Sequence, residues 1–252
     1  MPQSTGSREP TTGYALFDLD QTLIPWDTQL LFCNFVLKRM PGRRFYLLIL
    51  LPFLPLIKVL GAEGMKRVFL NYLWGLDEDH LKALGDEFVE EIFPDAFYPE
   101  ILEVVREQRA TGRLMVLSSA SPEIWVKPIA KKLGFDHCFG TEIEMKGGVR
   151  LFPDIICGNN KGSNKLVKMR AILPDGFDPE SGDTLPNSHG FSDSHADLPM
   201  LKICEDASMV NPTEKLAKTG ESCGWKLYTP DRPTQGKRQF AIACLRQALG
   251  IY

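Results

Sequence analysis

Short apolar runs bounded by turn residues recur along the chain, and each of them predicts a β-strand. The strands predicted in this way include residues 14–19, 114–119 and 188–193. Further strand candidates are HCFGTEIE and GGVRLF, which a Lys-Gly-Gly turn joins, followed by ASMV and WKLYT. Strands that alternate with helices are typical of a parallel sheet that is covered by helices on both faces.

Apolar residues at helical spacing predict helices between these strands. The predicted helices cover residues 29–39, 44–60, 64–72, 78–93, 101–111, 122–133, 163–173 and 195–204. Asp77, Ser121 and Ser163 are the predicted N-caps, because their side-chain oxygens can accept a hydrogen bond from the first helical turn. Pro128 predicts a kink, since proline removes a helical hydrogen bond.

The order of these elements predicts an α/β fold with an insertion. Residues 11–26 and 98–252 are expected to form a three-layer, Rossmann-like parallel sheet core. The all-helical block 27–97 is expected to form a separate inserted domain between the first and second strands, here called the cap. The polar N-terminal residues 1–13 are expected to be a loose tail. In sheets of this kind, ligands bind beyond the carboxyl ends of the strands.

Composition narrows the classes of function. The 252 residues are 44% hydrophobic and 24% charged, which is ordinary for a globular protein. The 29 Lys and Arg residues against 32 Asp and Glu residues give a net charge of -3, so nucleic acid is not expected as a partner. The six cysteines are scattered, which argues against a zinc site or a disulfide framework and favours a cytoplasmic protein.

One segment of the predicted cap is unusually apolar. Residues 45–57 are thirteen consecutive apolar or proline residues, preceded by the basic sequence KRMPGRR. The run is too short to span a bilayer, and Pro52 and Pro55 interrupt it, so no transmembrane span is expected. Burial inside the cap is the favoured interpretation. The alternative is an open apolar surface that docks on a membrane beside Arg39, Arg43 and Arg44.

Candidate chemistry begins at the end of the first predicted strand. Asp18 and Asp20 in FDLDQTL are two residues apart, so strand geometry directs both carboxylates to one face. Two carboxylates on one face repel and raise each other's pKa unless a cation lies between them. A pair that lies just beyond the strand would hold a divalent cation, whereas an ordinary polar strand end is the structural alternative.

Polar side chains also follow the other predicted strands. Ser119 follows the second strand, Asp193 and Asp197 follow the strand 188–193, and Lys165 lies near the start of a helix. Each of these residues alone has an ordinary role as a helix cap or a solvated surface group. Together they meet the needs of phosphate-ester hydrolysis: a carboxylate nucleophile, an acid, a cation and phosphate donors.

Four motifs carry a resemblance to a known family. FDLDQTL, VLSSAS, KGSNKL and FSDSHADLPML occur in that order, and the sequence from 14 to about 228 resembles the haloacid dehalogenase superfamily in its phosphoserine-phosphatase-like branch. This resemblance implies a phosphatase that forms an aspartyl-phosphate, with Mg2+ as cofactor and a small phosphorylated substrate.

The resemblance also implies roles for the acidic residues and the lysine. Asp18 is the expected nucleophile and a metal ligand, and Asp20 is the expected general acid and base, with its backbone carbonyl on the metal. Lys165 is expected to neutralise the nucleophile and the phosphoryl group. Asp193 is expected to ligate Mg2+, and Asp197 is assigned to the same metal shell.

Further residues are assigned to substrate and phosphate binding. Ser119 and Ala120 are the expected phosphate-binding positions, with Ser118 as the alternative to Ser119. Thr22 is expected to brace the first loop. Asp27 stands where phosphoserine phosphatases have a glutamate for the substrate ammonium, and its shorter side chain weakens phosphoserine as the substrate.

Two other departures are Gln21 in place of a small residue and Ser192 in place of glycine, and neither removes a catalytic group. The sequences LPFLPLIKVLG and LNYLWG resemble bacterial phosphatidylglycerophosphate phosphatases, so a lipid phosphate is the alternative substrate. A relative that binds a phosphorylated ligand without turnover is a further alternative. Arg43, Arg44 and Arg67 are candidates for an anionic group, with solvated arginines as the favoured interpretation.

Overall fold

The computed structural model describes residues 13–252, so the predicted N-terminal tail lies outside the described residues except for Gly13. The described residues form a seven-stranded sheet in the order β4-β3-β2-β1-β5-β6-β7. The strands are β1 Tyr14–Phe17, β2 Leu114–Pro122, β3 His137–Ile143, β4 Ile155–Ile156, β5 Leu185–Ser192, β6 Cys204–Val210 and β7 Lys226–Tyr228. All neighbouring strands pair in parallel except β4, which runs antiparallel to β3.

Helices cover both faces of this sheet. They are α1 Thr28–Arg39, α2 Tyr46–Phe53, α3 Ile57–Phe69, α4 Glu78–Ile92, α5 Pro99–Ala110, α6 Glu123–Leu133, α7 Asn164–Met169, α8 Leu198–Lys202, α9 Glu214–Cys223 and α10 Gly236–Ala248. Alternate residues of β1 belong to different clusters: Ala15 and Phe17 pack with α1, α5 and α6, whereas Tyr14 and Leu16 pack with α7, α8 and α9. The predicted three-layer α/β fold is confirmed.

The segment between β1 and α5 is helical throughout its regular structure. It contains α1 to α4 and three short 3-10 helices, Pro41–Phe45, Leu54–Leu56 and Leu70–Leu73. Its two ends meet where the backbone N–H of Tyr98 donates to the carbonyl of Leu23 at 3.0 Å. This contact agrees with a helical insertion, although the boundaries 27 and 97 stay a prediction.

One predicted N-cap and one predicted strand are wrong. Strand β2 continues to Pro122 and α6 begins at Glu123, so Ser121 is a strand residue and not the N-cap. The sequence GGVRLF is not a strand, because Val149 exchanges backbone hydrogen bonds with Gly75 and Leu76 of the insert instead of pairing with β3.

The outcomes for the other two predicted N-caps, Asp77 and Ser163, differ. Asp77 accepts a hydrogen bond from the N–H of His80 at 2.9 Å as the N-cap of α4. Ser163 occupies the N-cap position of α7, but its side chain does not cap that helix. Helix α10 follows β7 and packs on α1, and the sequence pattern did not indicate it.

The apolar run of the insert is mostly uncovered. Tyr46 and Leu50 are buried, whereas six large apolar side chains of the run and the nearby Val59 are exposed, which makes seven. These seven, here called the apolar face, are Phe45, Leu48, Leu51, Leu54, Leu56, Ile57 and Val59. The expectation that the run packs inside the cap is therefore wrong for most of its side chains. Helix α2 is apolar around its whole circumference, so a packed side leaves an equally apolar side facing outward.

The apolar helical segment is longer than the thirteen-residue run from which the absence of a membrane span was predicted. By length and composition alone, the helical segment Pro41–Leu73 is long and apolar enough to cross a bilayer, and only 11% of its most apolar window is buried. The segment is not one straight helix, however. Pro52 lies inside α2, and Gly61 interrupts α3 with φ 64° and ψ −174°, a conformation that glycine adopts without strain.

Candidate active site

The first loop of the site begins where β1 ends. The backbone N–H of Asp18 donates to the carbonyl of Phe191 at 3.0 Å, which extends the β1–β5 pairing by one residue. The chain then turns, and the Leu19 carbonyl accepts hydrogen bonds from the N–H groups of residues 22, 23 and 24. Gln21 has φ 62°, a left-handed conformation that is uncommon for a residue with a side chain. The turn brings both carboxylates to the carboxyl edge of the sheet.

Lys165 is buried between two carboxylates. Its Nζ lies 2.7 Å from Asp18 Oδ1 and 2.8 Å from Asp197 Oδ1, and its side chain is 1% exposed. Burial by itself would lower the pKa of Lys165, but the two carboxylates outweigh burial and raise this pKa. Burial raises the pKa of Asp18 to about 7, with Lys165 opposing this shift and Asp197 and Asp20 adding to it. More negative charge surrounds the site than Lys165 alone neutralises.

Thr22 joins the first loop to the loop after β5. Its hydroxyl donates to Asp18 Oδ2 at 3.3 Å and accepts the backbone N–H of Asp193 at 3.0 Å. Thr22 is fully buried, so these two bonds are shielded from water. The predicted bracing role of Thr22 has this contact as its structural basis.

Asp20 is held by three donors. Its Oδ1 accepts the backbone N–H of Thr28 at 2.6 Å, and its Oδ2 accepts the hydroxyls of Ser119 at 3.2 Å and Ser121 at 2.7 Å. The hydroxyl of Ser118 instead accepts a hydrogen bond from Asn160 at 3.2 Å. Of the two neighbouring serines, Ser119 is therefore the one on the Asp20 side.

Ser121 contributes more than its sequence context indicated. Its N–H donates to Ser119 Oγ at 3.0 Å, and its hydroxyl accepts from Thr28 at 3.0 Å while it contacts Asp20. Ser121, which was expected to cap a helix, therefore contacts the Asp20 carboxylate instead. The pattern Ser-Ala-Ser was the available signal, because alternate strand residues share one face.

Asp197 and Asp193 have different surroundings. Asp197 uses both oxygens, since Oδ1 contacts Lys165 and Oδ2 accepts the hydroxyl of Ser192 at 2.7 Å. Within residues 13–252, no group hydrogen-bonds the Asp193 carboxylate, although its backbone contacts Thr22 and Thr213. Burial raises the pKa of Asp193 well above its usual value, and Asp18 and Asp197 raise it further.

These surroundings fit a divalent cation. The carboxylates of Asp18 and Asp193, together with the backbone carbonyl of Asp20, would supply the oxygen donors that Mg2+ prefers. Among the described residues, no group of three or more His, Cys, Asp or Glu side chains is placed so that it could hold a metal ion by itself. The unpartnered Asp193 carboxylate is the observation that supports this fit. Asp197 contacts Lys165 and Ser192, which fits a position that supports Lys165.

A cavity of about 300 Å³ lies above these groups and is here called the catalytic cavity. Residues from the core and from the insert line it: Asp18, Asp20, Gln21, Asp27, Gln29, Ala62, Lys66, Ala120, Ser121, Asn159, Lys161, Lys165, Asp193, Ser194, Ala196 and Asp197. The predicted residues Thr22 and Ser119 are buried behind this lining. The structure thus brings the predicted site residues to one edge of the sheet.

Lys66 is a cation in the catalytic cavity that the sequence reasoning missed. It extends from α3, and its Nζ donates to Asn159 Oδ1 at 2.6 Å and to the carbonyl of Ala120. Burial lowers the pKa of Lys66 to about 8, partly opposed by Asp20 and Asp27. The only available signal was a lysine in an apolar segment.

Asp27 also reaches the catalytic cavity. It is the N-cap of α1 and accepts the N–H groups of Gln29 at 2.9 Å and Leu30 at 3.4 Å. Asp27 is exposed to solvent and lines the catalytic cavity.

The three arginine candidates have other partners. Arg43 donates to the carbonyl of Tyr72 at 2.8 Å, and Arg44 donates to the carbonyl of Gly250 at 3.0 Å. Arg67 forms an ion pair with Asp154 at 2.5 Å. None of the three is among the described residues that line the catalytic cavity.

Comparisons with known proteins agree with this geometry. A family model described as haloacid dehalogenase-like hydrolase matches residues 15–202. A phosphoserine phosphatase of Mycobacterium tuberculosis is 28% identical over 252 aligned residues, covering 95% of this chain and 75% of that protein. A Bordetella pertussis protein of unknown function has a solved structure with 26% identity and a TM-score of 0.71, covering 87% of this chain and 99% of that one.

A substrate-bound phosphoserine phosphatase shares the fold, with 18% identity and a TM-score of 0.57 over 88% of this chain and 96% of that one. At this level of identity, the comparison bears on the fold alone.

Proposed function

The chain belongs to the haloacid dehalogenase-like hydrolase family, as a phosphatase similar to phosphoserine phosphatases, and we propose that it hydrolyses a small phosphomonoester with Asp18 as nucleophile. The observation that carries this proposal is the buried contact of Lys165 with Asp18 at 2.7 Å, beside an Asp20 that faces the same cavity. A binding protein has no need for a paired acid and nucleophile, which argues against the alternative without turnover.

The proposed reaction has two steps. In the first, an oxygen of Asp18 forms a bond to phosphorus, the ester P–O bond breaks, and Asp20 gives its proton to the leaving oxygen. In the second, Asp20 takes a proton from water, which attacks phosphorus and releases phosphate and free Asp18. The hydroxyls of Ser119 and Ser121 can donate or accept, so they can serve Asp20 in both protonation states.

The remaining groups of the site hold charge. Lys165 neutralises Asp18 and keeps it oriented, with Asp197 fixing the lysine from its other side. Asp18, Asp193 and the carbonyl of Asp20 would hold Mg2+, which supplies charge neutralisation for the two approaching anions when bound. Ala120 and Ser119 are the proposed phosphate-binding positions, and Asp27 and Lys66 would meet charged groups of the substrate.

The decisive experiment is the replacement Asp18→Asn. Turnover of p-nitrophenyl phosphate with Mg2+ should fall by at least about a thousandfold, because the nucleophile is removed. Asp95→Asn, an exposed position, is the matched control and should retain activity. Thermal melting should show that Asp18→Asn is folded, and added Mg2+ should raise the melting temperature of the wild-type protein more than that of Asp193→Asn. Substantial turnover by a folded Asp18→Asn protein would reject the assignment.

A lipid phosphate is the second candidate substrate, and the apolar face favours it. Val59, which is 84% exposed, lies three residues before Ala62 in the lining of the catalytic cavity. An amphiphile could therefore reach the cavity from the apolar face. In that case the enzyme would be active at a membrane surface, whereas a small soluble substrate fits a cytoplasmic enzyme.

A matched pair of substrates separates the two candidates. Lysophosphatidic acid in vesicles and free glycerol 3-phosphate present the same ester with and without an acyl chain. A small-metabolite phosphatase should turn over the soluble ester at least as well as the lipid. A strong preference for the lipid would instead support the second candidate.

A further inference from the structure

A second cavity opens beside the catalytic cavity. It has a volume of about 470 Å³ and is here called the C-terminal cavity. Asp20, Gln21, Asp27 and Asp193 line both cavities. The rest of its wall lies outside the four motifs and consists of Leu30, Asn211, Pro212, Thr213, Arg232, Phe240 and Cys244. The segment after β7 and helix α10 thus border the site.

The position of Asp20 decides what this cavity would hold. Asp18 and Lys165, which mark the phosphoryl position, line the catalytic cavity and not the C-terminal cavity. Asp20 lines both, and it is the group proposed to protonate the leaving oxygen. A leaving group therefore starts beside Asp20, and the C-terminal cavity offers it room away from phosphorus.

The charges on the wall indicate the chemistry of that group. Of the described residues that line the C-terminal cavity, Arg232 is the only cation, and it lies in a cavity that also contains three aspartates. One nitrogen of Arg232 donates to the carbonyl of Asn211 at 3.0 Å, which orients the side chain. A guanidinium has five N–H donors, so donors remain for a ligand. The planar guanidinium matches a carboxylate or phosphate.

The residues that line the C-terminal cavity are packed and hydrogen-bonded to the core. Phe240 stacks on Trp26 with ring centroids 5.9 Å apart, and Trp26 is buried. Asn211 donates to the hydroxyl of Tyr98 at 3.2 Å and to the carbonyl of Pro230 at 2.9 Å, so the loop that orients Arg232 is tied to two other segments. These contacts give the cavity a defined shape.

We propose that the C-terminal cavity is a subsite for the leaving group, in which Arg232 binds a carboxylate or a second phosphate of the substrate. The aliphatic and aromatic side chains of Leu30 and Phe240 would contact the carbon chain between that anion and the ester. This inference rests on the proposed phosphatase function and adds a substrate class to it: phosphomonoesters with a second anionic group.

Pairs of substrates that differ by one anion test the subsite. O-phosphoserine against O-phosphoethanolamine, and 3-phosphoglycerate against glycerol 3-phosphate, isolate a carboxylate. Fructose 1,6-bisphosphate against fructose 6-phosphate isolates a second phosphate. The wild-type enzyme should prefer the anionic member of at least one pair, and the pair it selects identifies the anion.

Arg232→Ala should lower that preference, expressed as the ratio of kcat/KM within the pair, by about tenfold, the usual effect of losing a hydrogen bond to a charged group. The loss should appear in KM more than in kcat, and Arg232→Lys should restore part of it. Arg238→Ala, an exposed arginine on α10, is the matched control and should leave the ratio unchanged. Thermal melting checks that each variant is folded.

Three results would overturn the inference. One is a wild-type enzyme that hydrolyses p-nitrophenyl phosphate but prefers no anionic member. Another is a folded Arg232→Ala enzyme that keeps the preference, or whose kcat/KM falls equally for both substrates of a pair. The third is a preference that Lys66→Ala abolishes and Arg232→Ala does not, since the anion then binds on the α3 side. Absence of all phosphatase activity would instead refute the proposed function itself, and the subsite with it.

Discussion

The carboxyl edge of the sheet and the apolar helices of the insert both reverse the usual distribution of side chains, in opposite directions. At the sheet edge, Asp18, Lys165 and Asp197 are charged groups buried in the protein. In the insert, Phe45 and Val59 are apolar side chains that are 72% and 84% exposed. A buried charge without partners and a large exposed apolar surface are both unfavourable, so each reversal calls for a specific explanation.

The two regions differ in where their partners come from. At the sheet edge the protein itself provides most of them, since Lys165 contacts two carboxylates and Asp20 accepts three hydrogen bonds. No comparable partner from the described residues covers the apolar face. The sheet edge is therefore organised by contacts within the described residues, whereas within residues 13–252 the apolar face has no such cover.

The largest expected effect tests whether the sheet edge depends on its internal partners. Lys165→Met leaves Asp18 and Asp197 buried without their cation, and removing one member of a buried ion pair costs about 3–5 kcal/mol. The free energy of unfolding, from urea titration, should fall by this amount, and turnover should be lost. Lys202→Met, at an exposed lysine, is the control and should change neither quantity. If Lys165→Met changes the free energy of unfolding as little as the control does, then the contacts of Lys165 with Asp18 and Asp197 do not stabilise the fold.

A smaller effect is expected from paired substitutions in α2. Leu50 is buried and Leu48 is 68% exposed, so Leu50→Ser should lower the free energy of unfolding by about 3 kcal/mol, and Leu48→Ser should change it by less than about 0.5 kcal/mol. Urea titration of the two variants measures this contrast. Equal destabilisation would mean that the apolar face is covered in solution.

The same substitution can reveal an external partner. If the apolar face meets a membrane, Leu48→Ser combined with Leu51→Ser should reduce co-sedimentation with anionic vesicles without loss of stability. If the wild-type protein does not sediment with vesicles, a membrane is not the partner.

The smallest effect concerns Lys66, where the two regions meet. Its pKa is lowered to about 8, so its positive charge is lost as the pH rises through that value. If Lys66 attracts an anionic substrate as a cation, kcat/KM should fall a few-fold as the pH rises through about 8, because kcat/KM reports the free enzyme. Lys66→Arg keeps its charge and should move this decline to higher pH. A decline at the same pH in both proteins would assign the titration to another group.

The sheet and much of the site were predictable because local patterns specify them. Strand β1 is a short apolar run, and Asp18 and Asp20 follow it directly, so the topology carries them to the ligand-binding edge. Lys165 and Asp197 likewise lie at the start of short helical elements. Their mutual contact is long-range and was not predicted, because the resemblance assigned Lys165 to Asp18 and Asp197 to the metal shell.

The rest depends on contacts that no local pattern encodes. Lys66 and Arg232 reach the site only because α3 and the segment after β7 fold back over the sheet edge. Val149 was predicted in a strand, but its backbone found partners in the insert. For the apolar face, the sequence pattern showed that α2 is apolar, but it did not show which of its side chains would be buried against the rest of the protein.

The strand order has a consequence for synthesis. Strand β1 is made first but lies between β2 and β5, so its second neighbour is complete only at Ser192. At about 5–20 residues per second, the ribosome needs roughly ten to thirty seconds to make the residues between Phe17 and Ser192. For most of that interval the apolar face has already been synthesised while the sheet beside it is incomplete. The nascent chain therefore carries these apolar side chains before the parallel sheet of its core can be completed.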